Sequence, residues 1–174
     1  MSDSQNLPIN QLKLISLLEL CKKEAEHLIF SWQRIFPQKN NPSPEWITSL
    51  KDNEEDAAHL EAFSSRFSRL QDSLGSKLLP ALLTCLAETP SSQIENLNKA
   101  EKLGIISSTQ EWLNVREMRN QLVHEYLEDT NKMLEALIAA NRFTPVLIET
   151  FNKIRLKAIQ TLSIEADVLP SSIK

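Results

Sequence analysis

Five residues suited to acid–base and phosphate chemistry fall in one short stretch: Arg116, Arg119, Asn120, His124 and Tyr126. On a helix each residue turns about 100° and rises about 1.5 Å. With Trp112 at zero, Val115, Met118, Leu122 and Val123 share one broad apolar arc, and Arg119 and Tyr126 land near its middle. Arg116, Asn120 and His124 follow at four-residue spacing along one edge of that arc. A guanidinium keeps its charge, so burying it unpaired is costly. Arg119 is therefore expected to find a partner or to line a wet cleft. If the helix stays regular, His124 stands about 7.5 Å beyond Arg119 along the axis, a gap a phosphodiester can bridge.

The chemistry of such a set suits RNA cleavage. Histidine titrates near neutrality and can move a proton to or from a ribose hydroxyl. Arginine stays charged and stabilises negative charge growing on phosphorus oxygens. Asn120 can orient a phosphate or a base, Arg116 can hold the backbone, and Tyr126 can stack on a base. No metal or cofactor is required. From the residues alone, a structural ion pair accounts for Arg119 equally well.

The run Arg119-Asn120-Gln121-Leu122-Val123-His124-Glu125-Tyr126 resembles the R-x4-H-x-Y signature of HEPN domains, in the HepT-like branch. That resemblance implies an up-down helical bundle over roughly residues 12–162. It also implies a metal-independent endoribonuclease toxin that works as a homodimer, with Arg119 and His124 as the catalytic pair in a shared cleft. Asn120, Arg116 and Tyr126 would hold substrate. The partner would be a minimal nucleotidyltransferase, the MNT antitoxin, and Tyr126 would be the tyrosine it adenylylates. A related branch implies a different role, that of a non-catalytic substrate-binding subunit of a nucleotidyltransferase. A helical scaffold without catalysis is the third reading. The segment at 37–53 and the tail after Ser163 exceed what compact members of the family need.

The elements that must position these residues are helical. Leu, Ala, Glu, Lys and Gln are abundant, Gly75 and Gly104 are the only glycines, and no alternating β-branched runs occur. The expected fold is all-α, an antiparallel bundle of four to five main helices in a single domain over 1–162, with a weakly structured tail at 163–174. Leu14, Leu18, Cys21, Ala25, Leu28 and Trp32 mark a first long helix that Pro37 ends. Residues 37–53 read as a long connection with one short turn near Trp46. A second long helix spans about 54–88, and Gly75 and Pro80 bend or split it. A short helix over 92–103 closes at Gly104. The motif helix starts at Ser108 or Thr109 and runs to about Tyr126. The last helical region, 130–161, is expected to break near Arg142–Pro145.

Composition narrows the function classes. With 19 basic and 23 acidic residues, the net charge is −4, which argues against a broad nucleic-acid-coating surface but allows a local basic site. No phosphate-binding glycine loop or nucleophile elbow is present. His27, His59 and His124 have no metal-ligand spacing with one another or with Cys21 and Cys85. The cysteines read as reduced, buried thiols, consistent with a cytoplasmic protein. The acidic run at 52–56 suits a helix N-terminus. Arg66 and Arg69 read as a solvated flank, with a phosphate-contacting face as the alternative. No apolar run reaches the roughly 20 residues a membrane span needs.

Overall fold

The computed structural model describes residues 7–122 and 129–174. It is an all-α bundle, with no strand among the described residues. Helix α1 runs Ile9–Ile35, α2 Pro44–Ser49, α3 Glu54–Ser73, α4 Leu79–Cys85, α5 Gln93–Lys102, α6 Thr109–Met118 and α7 Thr130–Leu162. Helices α1 and α3 are antiparallel: Arg34 near the end of α1 meets Glu55 at the start of α3, and Arg66 further along α3 reaches back to His27 and Ser31. Helix α7 packs against both and also against α2, α4 and α6. Among the described residues no helix is long and apolar enough to cross a membrane.

The expected first helix is present. Leu14, Leu18, Cys21, Ala25 and Leu28 are fully buried at three- and four-residue spacing. Pro37 cannot extend it, and the chain leaves through one 3-10 turn in which Gln38 and Lys39 take positive φ of 55° and 63°. Asn141 of α7 holds this conformation by donating to the Lys39 carbonyl and to Asn41 Oδ1 while accepting from Trp32 Nε1 at 2.7 Å. The 37–53 connection contains the short turn as a full helix, α2, capped by Ser43 with Pro44 in its first turn. The acidic run is structural, as read. Glu54, Glu55 and Asp56 occupy the first turn of α3, and Asp56 accepts from Trp46 Nε1 and Asn53 Nδ2.

Gly75 and Pro80 do not break the second helix. A π-turn over Leu74–Leu78 joins α3 to α4, with Leu79 N–H reaching back to the Leu74 carbonyl. Pro80 has no N–H and its ring would crowd the carbonyl four residues earlier, and the wider turn relieves both demands. Gly75 lets the indole of Trp112 close in: a Cβ there would sit 3.2 Å from Trp112 Nε1.

One expectation needs correction at the C-terminal end. Helix α7 is continuous through Pro145. The proline costs one backbone bond, but Phe143, Leu147 and Phe151 bury on either side of it, so packing outweighs the loss. The tail at 163–174 is irregular but anchored. Ser163 turns the chain with φ 55°, and Ile164, Leu169 and Ile173 bury against the bundle. Asn152 donates to the Ile173 carbonyl and accepts from its N–H, both at 2.9 Å, and Arg155 donates to the Pro170 carbonyl. Side chains of α7 thus satisfy the tail's backbone where no helix does.

Candidate functional site

Helix α5 has a capping box in which Ser92 and Glu95 satisfy each other's backbone groups, and it ends at Gly104 with φ 72°. Glu101 then accepts from Thr109 N–H at 2.8 Å, tying the start of α6 to α5. That bond holds the Glu101 carboxyl below the usual carboxylate range. Ser108 caps α6 through the Glu111 N–H.

The motif helix is shorter than expected. Helix α6 ends at Met118 and the chain tightens into a 3-10 turn over Arg119–Leu122. A 3-10 turn rises about 2.0 Å per residue, so the regular α-helical geometry expected for the motif does not hold over Arg119–Leu122. His124 and Tyr126 lie outside the described residues, as does the end of the expected helix.

Three hydrogen-bonded points fix this turn to α3. Gln71 Nε2 donates to the Trp112 carbonyl at 3.0 Å. The Ser64 hydroxyl contacts the Leu122 carbonyl at 3.3 Å while also facing its own Leu60 carbonyl. Between them sits Arg119. Its Nη1 donates to the Ser68 carbonyl at 3.0 Å and to Gln71 Oε1 at 3.1 Å, and its Nη2 donates to Asp72 Oδ1 at 2.8 Å. Arg119 is only 9% exposed, so the expectation that it enters the apolar face with a partner is met. Three of its five N–H groups are engaged among the described residues, leaving Nε–H and one Nη2–H.

Arg116 lies on the solvent side of the same carboxylate, with Nε 3.9 Å from Asp72 Oδ1. Its Nη1 donates to Gln93 Oε1 at 2.6 Å, and Gln93 in turn donates to Ser76 Oγ. Arg116, Arg119 and Asn120 line one shallow concavity of about 470 Å³, with Leu113 and Glu117 completing it. Three of the five singled-out residues are therefore brought together. Asp72 faces both arginines and Glu117 lines the concavity, so among the described residues the two positive charges are matched by two carboxylates.

Arg66 and Arg69 do not join it. Arg66 donates to the His27 carbonyl and the Ser31 hydroxyl on α1, and Arg69 is exposed. Reasoning from the sequence missed the role of Ser68, Gln71 and Asp72 on α3, and of Gln93. A signal was present. Ser64 and Gln71 sit at the spacing of the apolar stripe made by Leu60, Phe67 and Leu74, where a polar side chain needs a partner. Among the described residues no cluster of His, Cys, Asp and Glu has the geometry of a metal site. Compared with models of known families, with curated proteins and with solved structures, the chain finds no match.

Proposed function

We propose that the chain is a metal-independent endoribonuclease of the HEPN type, acting as the toxin of a pair whose antitoxin is a nucleotidyltransferase. The observation that supports this reading best is the convergence of Arg116, Arg119 and Asn120 on one concavity, with His124 four residues after Asn120 in the sequence. In the proposed reaction a ribose 2′-oxygen attacks the adjacent phosphorus, His124 takes the hydroxyl proton, and the bond to the 5′-oxygen breaks as that oxygen gains a proton. Arg119 holds its remaining N–H groups toward the developing oxyanion without reorganising, because α3 already fixes its guanidinium. Arg116 is the exposed arm that exchanges Asp72 for phosphate. Tyr126 is the proposed site of adenylylation, and a homodimer in the cytoplasm is the proposed working form.

A second reading is favoured by the Arg119 contacts themselves. All of them fasten the turn to α3, which is what a purely structural arginine does. Cleavage of RNA in EDTA by wild-type protein, His124→Ala and Arg116→Ala separates the two. The nuclease reading expects cutting by wild type, none by His124→Ala, and weakened cutting by Arg116→Ala. Equal cutting by wild type and His124→Ala, or no cutting by wild type, overturns it. Arg119→Ala is unsuitable as the deciding variant because its loss loosens the fold.

A further inference from the structure

On the far side of the π-turn, a cavity of about 440 Å³ lies between the first turns of α1 and the start of α4. Its size is that of a small-molecule site. Lys13 from α1 and Lys77 from the π-turn line it, together with Ser76, whose hydroxyl accepts from Gln93, and Thr84, whose hydroxyl donates to the Pro80 carbonyl. Among the described residues no carboxylate lines it. Neither Lys13 nor Lys77 has a carboxylate within 4.0 Å among the described residues, a state they share with several other lysines, whereas Lys22, Lys99, Lys132 and Lys153 are paired. Glu24, further along α1, shares with Lys77 an influence on Cys21 but does not line the cavity.

The walls are preformed. Leu17, Pro80 and Pro90 give an apolar surface, and both prolines have restricted backbones. The π-turn that accommodates Pro80 brings Ser76 and Lys77 to the surface, and Gly75 seats the turn against buried Trp112. Such turns recur at functional sites. Two exposed lysines, two hydroxyl-bearing side chains and an apolar wall lining one cavity form a complement to an anionic head with an organic body.

The geometry points to a binding site for a small organic phosphate, with its phosphate between Lys13 and Lys77 and its body against Leu17, Pro80 and Pro90. This site is separate from the Arg116–Arg119 concavity and does not depend on the proposed nuclease function. Lysines suit a phosphate as compact, mobile point charges.

Isothermal titration of the full chain with AMP, adenosine and inorganic phosphate tests it, on wild type, Lys13→Gln, Lys77→Gln, the double variant, Lys51→Gln and Arg116→Ala. Both cavity lysines are exposed, so their replacement leaves the core intact. Expected results are saturable AMP binding by wild type, roughly tenfold weaker binding by each single cavity variant, and none by the double variant. Adenosine should not bind, inorganic phosphate should bind more weakly than AMP, and Lys51→Gln should match wild type. Absence of saturable AMP binding overturns the proposal. So does a loss that appears equally in Lys51→Gln, or one that appears in Arg116→Ala but in neither cavity variant.

Discussion

Arg119 Nη2 lies 2.8 Å from Asp72 Oδ1, joining an arginine that is 9% exposed to a carboxylate that is 46% exposed. The asymmetry decides what each partner contributes. Removing Arg119 leaves Gln71 Oε1 without its donor in the interior, while the Ser68 carbonyl keeps its place in the α3 backbone ladder. Removing Asp72 leaves a charge that water and Arg119's other acceptors still serve. Arg119→Ala should therefore cost about 3 kcal/mol of unfolding free energy and Asp72→Asn about 1 kcal/mol. Urea unfolding of both and of the double variant gives the coupling. A loss below about 0.5 kcal/mol for Arg119→Ala would show that the clamp is not holding the turn. On the nuclease reading, Asp72→Asn should also tighten RNA binding, because Arg116 no longer has to leave a carboxylate.

Gly75→Ala sets two effects against each other. Alanine improves helix propensity by up to about 1 kcal/mol. Its Cβ would meet Trp112 Nε1 at 3.2 Å, and Trp112 is 1% exposed and held edge-to-face against Phe143 at a centroid separation of 5.6 Å. The indole has nowhere to retreat, and overpacking costs about 1–3 kcal/mol. The expected result is a net loss of about 1 kcal/mol, read by thermal unfolding together with a change in tryptophan fluorescence. A gain in stability would mean that the indole can shift after all.

Cys21 gives the protein an alkaline liability. Burial pushes its thiol up from 9.0 to about 12, with Glu24 adding to the shift and Lys77 opposing it. Between these values the unfolded chain gives up the proton while the folded chain keeps it. Stability from this residue is complete below pH 9 and falls as pH rises from about 9 toward 12, by at most about 1.4 kcal/mol per pH unit. Denaturant midpoints for wild type and Cys21→Ala, measured from pH 8 to 11, should differ in slope. Parallel slopes would show that the thiol titrates normally. In the folded protein at pH 8, Cys21 should also resist a thiol reagent that reaches the half-buried Cys85.

Deleting residues 170–174 removes Ile173, which is 9% exposed, and strips both partners from the Asn152 amide. Burial of one such side chain and its paired backbone is worth about 2–3 kcal/mol. The truncated chain should unfold at correspondingly lower urea and exchange amide hydrogens faster along the C-terminal half of α7. An unchanged midpoint would show that the anchored tail adds nothing to stability.

The sequence by itself determined the helices and the apolar stripe on each, because burial at three- and four-residue spacing is a local pattern that tertiary structure seldom reverses. It also placed the C-cap at Gly104, the start of the next helix at Ser108 or Thr109, and Arg119 on an apolar face that demanded a partner. Tertiary structure decided the rest. The partner was Asp72, 47 residues earlier on α3, and no local signal selects it over the neighbouring polar groups. Pro145 reads as a helix stop until the surrounding burial of Phe143, Leu147 and Phe151 is known. The tail reads as loose until Asn152 is seen to hold its backbone. The motif helix reads as regular until Gln71, Asp72 and Ser64 pin its last turn, which tightens at Arg119. In each case the deciding interaction joins residues far apart in the chain, and its energy exceeds the local preference it overrides.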